Sequence, residues 1–193
     1  RENEQSMALQ VCNLLDGDAR AVYKNINLDM RNFKRIKLFV HAESKPGEKP
    51  LNNHDVYGFI RLGADFSENY YELSIPLKIT DAGATADLNV WPEQNDILLE
   101  LDSLSSIKQQ RNASGKAINA PFRIKYKDGS ILTIVGNPNL GLTKTVMLGV
   151  RNPKRGSTIY ADDDAQPKCA EVWFNELRLD GFDEQGGYAA LVR

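Results

Sequence analysis

The segment Ala170–Leu179, AEVWFNELRL, carries the densest strand signal in the chain. Aromatic and branched apolar residues dominate it, and it contains no Gly or Pro. Val172 and Phe174 fall on one phase of a strand's two-residue period, whereas the two Leu fall on the other. A β-bulge at Asn175–Glu176 would return all four side chains to one face, and the alternative is a strand buried on both faces. Either way, we predict a central strand with the core residues Val172, Phe174, Leu177 and Leu179.

Alternation of apolar and polar residues predicts further strands, of which 71–79 is the most regular. A helix is predicted at 101–111, where apolar residues recur at helical spacing, Asp102 or Ser103 can cap the start and Gly115 can end it. The other predicted strands are 6–14, 21–24, 36–42, 56–63, 95–101, 120–127, 130–135 and 146–151. This pattern predicts an all-β fold, a β-sandwich with one short helix.

Composition and charge narrow the classes of function. The chain has 193 residues, of which 41% are hydrophobic and 26% charged, as in a globular protein. The net charge of -2 gives no counterion-release drive toward nucleic acid, and no basic run could hold an anionic membrane surface. No apolar run reaches the roughly 18 residues of a membrane-spanning helix. We therefore predict a single domain over residues 1–193, with no nucleic-acid partner and no membrane-spanning segment.

The ends of the chain suggest a larger parent protein. The sequence begins at Arg1 rather than Met, shows no signal peptide, and ends just after the apolar run YAALV at 188–192. Such a run is typical of the start of a further strand. We expect a domain excised from a longer chain.

The two cysteines, Cys12 and Cys169, lie in or beside predicted strands near opposite ends of the chain. Because they lack a C-x-x-C spacing, they do not indicate a metal site. A disulfide between the first and last strands is one interpretation, provided that the compartment is oxidising. Two separately buried thiols are the other, since sequence alone does not fix the geometry.

Motifs for catalysis are lacking in the sequence. Its two histidines, His41 and His54, belong to no HExxH pattern and have no nearby set of metal ligands. There is no G-x-S-x-G nucleophile elbow. The glycines of Gly136–Gly141 have the spacing of a phosphate-binding loop, but Leu142 stands where its lysine is required, so this segment is predicted to be a turn. We predict that the chain is not an enzyme and needs no cofactor.

Three consecutive carboxylates, Asp162, Asp163 and Asp164, lie in a polar loop. They offer the oxygen ligands that Ca²⁺ prefers, although their spacing matches no EF-hand. A structural calcium ion is one interpretation of this loop, and a solvated acidic loop is the other.

Sugar binding requires aromatic rings that stack on pyranose faces and a few convergent polar groups. Arg61 lies on the face of its predicted strand that also carries Tyr57 and Phe59. Tyr70 and Glu72 share the face of their strand that points away from the predicted core. If these strands are neighbours, one sheet surface would carry a ligand-facing set of His41, Arg61, Tyr70 and Glu72. The alternative is a surface covered by loops or by a parent protein.

Three segments resemble jelly-roll carbohydrate-binding and galactose-binding-like modules. They are NLDMRNFKRIKLFVHAE at 27–43, YYELSIPL at 70–77 and VWFNELRL at 172–179. The first resembles the segment in which a short turn leads into a core strand, the second the middle strand and the third the closing strand. The resemblance implies a jelly-roll β-sandwich of the galactose-binding-like type.

A second resemblance covers nearly the whole chain and is most specific in its last block. The segments are ENEQSMAL at 2–9, FIRLGADFSENYYELSIPLK at 59–78, VWPEQN at 90–95, VGNPNLG at 135–141, GVRN at 149–152 and EVWFNELRLDGFDEQGGYAA at 171–190. They resemble the SprA/Sov family, the very large outer-membrane β-barrels that serve as translocons of type IX secretion and, in several species, gliding motility. The chain departs from the family in a short loop at 80–89.

The resemblance implies a domain inserted between the barrel strands of a much larger protein. We therefore expect a non-catalytic structural or docking domain of a protein-secretion translocon. Its partners would be the parent barrel, other secretion-system proteins or cargo, and its location the outer membrane, on the periplasmic or the extracellular face. The alternative function is that of a carbohydrate-binding module.

Overall fold

The computed structural model describes residues 6–81, 83–84, 86–160 and 163–183. Two helices lie within these residues, α1 (Asp87–Val90) and α2 (Leu101–Ala113). The strands are β1 (Met7–Leu14), β2 (Ala19–Leu28), β3 (Arg35–Ser44), β4 (Tyr57–Gly63), β5 (Tyr70–Pro76), β6 (Ile97–Glu100), β7 (Phe122–Lys125), β8 (Ile131–Val135), β9 (Thr143–Arg151) and β10 (Lys168–Asp180).

The strands form two antiparallel sheets that enclose one apolar core. The four-stranded sheet has the order β1-β10-β3-β6, and the six-stranded sheet has the order β2-β9-β4-β5-β8-β7. The predicted all-β sandwich is therefore confirmed, whereas its jelly-roll topology stays a prediction. The inner faces meet through the apolar side chains Val40, Ala42, Val172, Ile60, Leu62, Leu73 and Val150, all of which are buried.

Strand β10 lies between β1 and β3, as expected of a central strand. Its pairing with β3 shifts register between Asn175 and Arg178, and Glu176 has a φ of 54°. A non-glycine residue adopts this left-handed conformation mainly in turns and bulges. The bulge predicted at Asn175–Glu176 is thereby confirmed.

The bulge aligns three of the four predicted core residues of β10 with the core. Val172 and Phe174 are 0% and 3% exposed, and Leu179 is half-buried against the core cluster. The prediction for Leu177 is wrong, because this side chain is 45% exposed. Leu177 lies at the flank of the sandwich, where it lines an open groove instead of packing beneath the opposite sheet.

Helix α2 begins at Leu101 and packs against β8, which confirms the predicted helix. The predicted cap is wrong, because the N-cap residue is Glu100 and not Asp102 or Ser103. Its buried Arg111 donates a hydrogen bond to the carbonyl oxygen of Gly136, and Lys108 donates to that of Pro138 at 3.0 Å. Gly136 has a φ of 66°, and a Cβ there would overlap the carbonyl oxygen of Glu68. The glycine is therefore required for the turn that follows β8.

We expect Phe174→Ala to lower the free energy of unfolding by about 3–5 kcal/mol, because the ring is buried between the sheets and its removal leaves a cavity. Urea unfolding followed by circular dichroism measures this loss. Phe182→Ala is the matched control, since that ring is 56% exposed, and it should cost much less. A loss below about 1 kcal/mol for Phe174→Ala would place the ring on the wrong face of β10.

Candidate functional site

The outer face of the six-stranded sheet carries a cluster of charged and aromatic side chains. Strands β4 and β5 pair so that Arg61 lies directly opposite Glu72. Arg61 Nη2 is 2.6 Å and its Nε 2.9 Å from Glu72 Oε2. Although it lies on an outer face, the side chain of Glu72 is only 2% exposed. The pair is thus a cross-strand ion pair held in a desolvated environment.

A second arginine binds the other oxygen of the same carboxylate. Arg151, on β9, places its Nη1 at 2.9 Å from Glu72 Oε1, to which Ser74 Oγ donates a hydrogen bond at 3.1 Å. Arg151 also donates to the hydroxyl of Tyr160, which follows β9. Both oxygens of Glu72 are therefore saturated by donors within the protein.

Aromatic rings pack against the two guanidinium groups. The guanidinium carbon of Arg61 is 3.9 Å from the ring centroid of Tyr70, and that of Arg151 is 5.1 Å from the ring centroid of Phe59. At these distances cation–π attraction adds to the ion pairs. Together, Phe59, Arg61, Tyr70, Glu72, Arg151 and Tyr160 form the outer-face cluster.

Electrostatics keep Glu72 ionised. Burial alone would raise the pKa of its carboxyl, but the opposing charges of Arg151 and Arg61 outweigh burial and hold this pKa below its ordinary value. Burial also raises the pKa of the nearby Tyr70 hydroxyl. A carboxylate that is ionised and bound on both oxygens is a poor acceptor for a substrate proton near neutral pH. The geometry of the cluster suits a structural ion pair.

The structure brings together Arg61, Tyr70 and Glu72 but places His41 on the other sheet, so the four residues do not share one surface. The expectation required the strands of these residues to share one sheet, whereas β3 pairs with β10 and β6 in the four-stranded sheet. His41 is 2% exposed and packs between Trp91 and Trp173, with ring centroids 5.9 and 4.7 Å away. Its Nδ1 is 2.7 Å from the carbonyl oxygen of Val90.

Cys12 on β1 and Cys169 on β10 form a disulfide, with Cα atoms 4.0 Å apart. It links the edge strand of the four-stranded sheet to its neighbour. Glu48 lies close to both sulfur atoms, and the three residues are the one group of metal-ligating type found among the described residues. Sulfur atoms joined in a disulfide are not thiolate ligands, so this group does not indicate a metal site.

The acidic loop after β9 contacts a lysine. Lys168 Nζ is 2.6 Å from an oxygen of Asp164 and 3.6 Å from oxygens of both Asp163 and Asp55. Asp162 lies outside the described residues. Although burial opposes charging of Lys168, the surrounding carboxylates raise its pKa above the ordinary value. The ammonium group provides positive charge at the position where a structural calcium ion was considered.

One feature of the surface was not predicted from the sequence. A groove of about 660 Å³ opens between the two sheets at the flank formed by β1, β2 and β10. We call it the flank groove, and its apolar lining includes Met7, Val22, Leu28, Leu148, Leu177 and Leu179. The strand predicted at 21–24 was the one local sequence signal near this groove. That strand is longer than predicted, since β2 spans ten residues.

We expect Glu72→Gln to lower the free energy of unfolding by about 3–5 kcal/mol at neutral pH, because Arg61 and Arg151 lose their buried counterion. The lowered pKa of Glu72 means that its stabilisation is present above the pH at which an unfolded glutamate titrates. It is lost as the pH falls through the lowered pKa. The difference between the variant and the original protein should therefore shrink toward acidic pH, as measured by urea unfolding over a pH series.

The control for Glu72→Gln is Asp29→Asn. Arg31 and Asp29 form an ion pair with the same 2.6 Å separation, but their side chains are 67% and 42% exposed. Exposed pairs contribute little to stability, so this substitution should leave unfolding almost unchanged. Equal effects of the two substitutions would contradict a special role of burial at Glu72.

The fold and the cluster define an all-β sandwich module whose outer face is stabilised by a buried ion pair. The chain belongs to the SprA_N family, described as motility related/secretion protein, which matches residues 1–193. The resemblance to the SprA/Sov family is thereby confirmed. No curated protein matches the chain. Within the described residues, no helix is long and apolar enough to cross a membrane.

Proposed function

We propose that this chain is a non-catalytic docking domain of an outer-membrane protein-secretion translocon that also serves gliding motility. The observation that carries the proposal is the match of a motility and secretion family to all of residues 1–193. The domain acts within the cell envelope as part of a larger barrel protein. Its partners are that barrel, other secretion-system proteins or cargo.

The interactions that occupy the reactive side chains support a role without catalytic turnover. Glu72 is saturated by two arginines, and Cys12 and Cys169 are joined in a disulfide. His41 is enclosed by two tryptophans and bonded to a backbone carbonyl. None of these groups pairs a free nucleophile with an oriented base, which covalent catalysis requires.

Two loops form the docking surface in this proposal: the loop 45–56, and the described parts of the loop after β9, 152–160 and 163–167. They lie side by side, because Lys49 Nζ is 3.3 Å from an oxygen of Asp164. Asp55, in the first loop, also contacts Lys168 at the start of β10. Binding residues often lie on loops that a rigid scaffold such as a β-sandwich holds in place. Joined by these ion pairs, the two loops present one continuous surface to a partner.

The proposal predicts that export fails when the domain is removed from its parent protein. Residues 6–183 would be replaced in the parent gene by a flexible Gly/Ser linker, so that the flanking segments stay connected. We expect cargo to accumulate inside the cell while the barrel itself still reaches the outer membrane, as measured by cell fractionation and immunoblotting. A parent protein carrying Phe182→Ala is the control and should export normally. Normal export by the linker variant would contradict the proposal.

Carbohydrate binding is a second candidate, and one observation favours it. The rings of Tyr23 and Phe66 stack with centroids 4.8 Å apart and remain 55% and 40% exposed. An exposed aromatic pair of this kind offers a face on which a sugar ring can stack. The site would lie beside the outer-face cluster, since Arg61 donates to the carbonyl oxygen of Phe66.

If this second candidate is right, Tyr23→Ala should abolish retardation of the chain in gels that contain soluble polysaccharides. The reason is that the stacking face is lost while the buried cluster remains. Tyr126→Ala, on a half-buried tyrosine away from the pair, is the control and should migrate like the original protein. Unretarded migration of the original chain in every polysaccharide gel would rule out the candidate.

A further inference from the structure

The flank groove lies between two sheet edges. Strand β1 is the edge of the four-stranded sheet and β2 is the edge of the six-stranded sheet, and a turn at 15–18 connects them. Both strands contribute side chains to the groove, Met7 from β1 and Val22 from β2. An apolar surface and an unpaired strand edge therefore occur at the same place.

Strand β2 is unusually exposed for its length. None of its ten residues is buried, and at its centre Val22 and Tyr23 are 40% and 55% exposed. One side of its backbone pairs with β9, and the other side pairs with no strand among residues 6–81, 83–84, 86–160 and 163–183. A long edge with free N–H and C=O groups is a template for a further strand.

The apolar groove and the unpaired edge of β2 together favour one kind of ligand. A lipid chain or an amphipathic helix would cover the apolar lining but would leave the backbone groups of β2 unpaired. An extended peptide satisfies both, because its backbone pairs with the edge and every second side chain enters the groove. Ten residues of β2 can pair with a segment about 33 Å long.

Charge adds a second requirement for the occupant. Lys24, on β2, lines the groove and forms no ion pair with any described residue. Arg178 lies on the opposite wall, where Glu176 already neutralises it at 2.6 Å. A peptide with an acidic residue near Lys24 would pair with this ammonium group as the groove closes.

We propose that the flank groove binds an extended peptide segment by strand addition to β2. The segment has apolar residues at alternate positions and an acidic residue that contacts Lys24. This inference rests on the proposed docking function and names the chemistry of the partner. The bound strand would extend the six-stranded sheet and cover Val22, Leu177 and the neighbouring apolar side chains.

Fluorescence anisotropy with a labelled ten-residue peptide tests the proposal. The probe has valine at every second position, threonine between them, and aspartate in place of one central valine, so that it lies opposite Lys24. We expect saturable binding to the 193-residue chain, and binding weakened by about tenfold or more in Leu177→Glu and Lys24→Glu. Ile118→Glu is the control, since Ile118 is 52% exposed and does not line the groove, and its affinity should be unchanged.

N-methylated probes show whether the backbone of the peptide pairs with β2. Methyl groups on alternate N–H groups along one edge of the peptide should abolish binding, whereas the same groups on the other edge should leave it intact. Equal affinity of the two methylated peptides, or of a probe with scrambled order, would overturn strand addition. So would a lack of binding by the unmodified probe, or self-association of the chain that Leu177→Glu abolishes.

The outcomes separate this inference from the proposed function. If the linker variant stops export but the peptide does not bind, the docking function stands and the groove inference is wrong. If the peptide binds as described but the linker variant exports normally, the proposed function is wrong and the groove remains a peptide-binding site. Circular dichroism of each variant must match that of the original chain, so that lost binding reports the groove itself.

Discussion

The unequal width of the two sheets is the constraint on which the rest of the structure depends. Four strands cannot cover six, so the wider sheet must protect its inner face by other means. At one end, α2 packs against β8 and buries its side chains Leu104 and Ile107. At the other end the centre of β2 stays exposed at Val22 and Tyr23, and the flank groove lies beside it. The same mismatch therefore explains both the helix and the exposed edge.

The charged side chains buried on the outer sheet face depend on their partners to offset the cost of desolvation. The cost of desolvating Glu72 is offset only because two arginines and a serine surround it. These partners come from β9, β4 and β5, so the ion pairs fix the mutual register of three central strands. Lys168 acts in a similar way among carboxylates from two loops. In both places, pairing that would be weak at the surface gains from the exclusion of water.

Local patterns were sufficient to predict much of the fold. The two-residue period located most strands, and the phase shift within β10 predicted its bulge at Asn175–Glu176. These local patterns could not predict which strands pair with each other, since pairing depends on long-range contacts. His41 was grouped with Arg61 on the condition that their strands share one sheet surface, whereas β3 and β4 lie in different sheets. The exposure of Leu177 was missed for a related reason, because it depends on how the two sheets pack at the flank groove.

The two edge strands beside the groove, β1 and β2, differ in how they are held and protected, and this difference bears on docking. Strand β1 is held to β10 by the disulfide between Cys12 and Cys169, which limits its freedom to separate. Natural proteins usually protect a long edge such as β2 with charges, proline or a bulge. Here charged side chains flank its centre, but the centre itself exposes Val22 and Tyr23. An edge that exposes apolar side chains at its centre, as β2 does, is costly to leave in water, and the proposed partner strand would remove that cost.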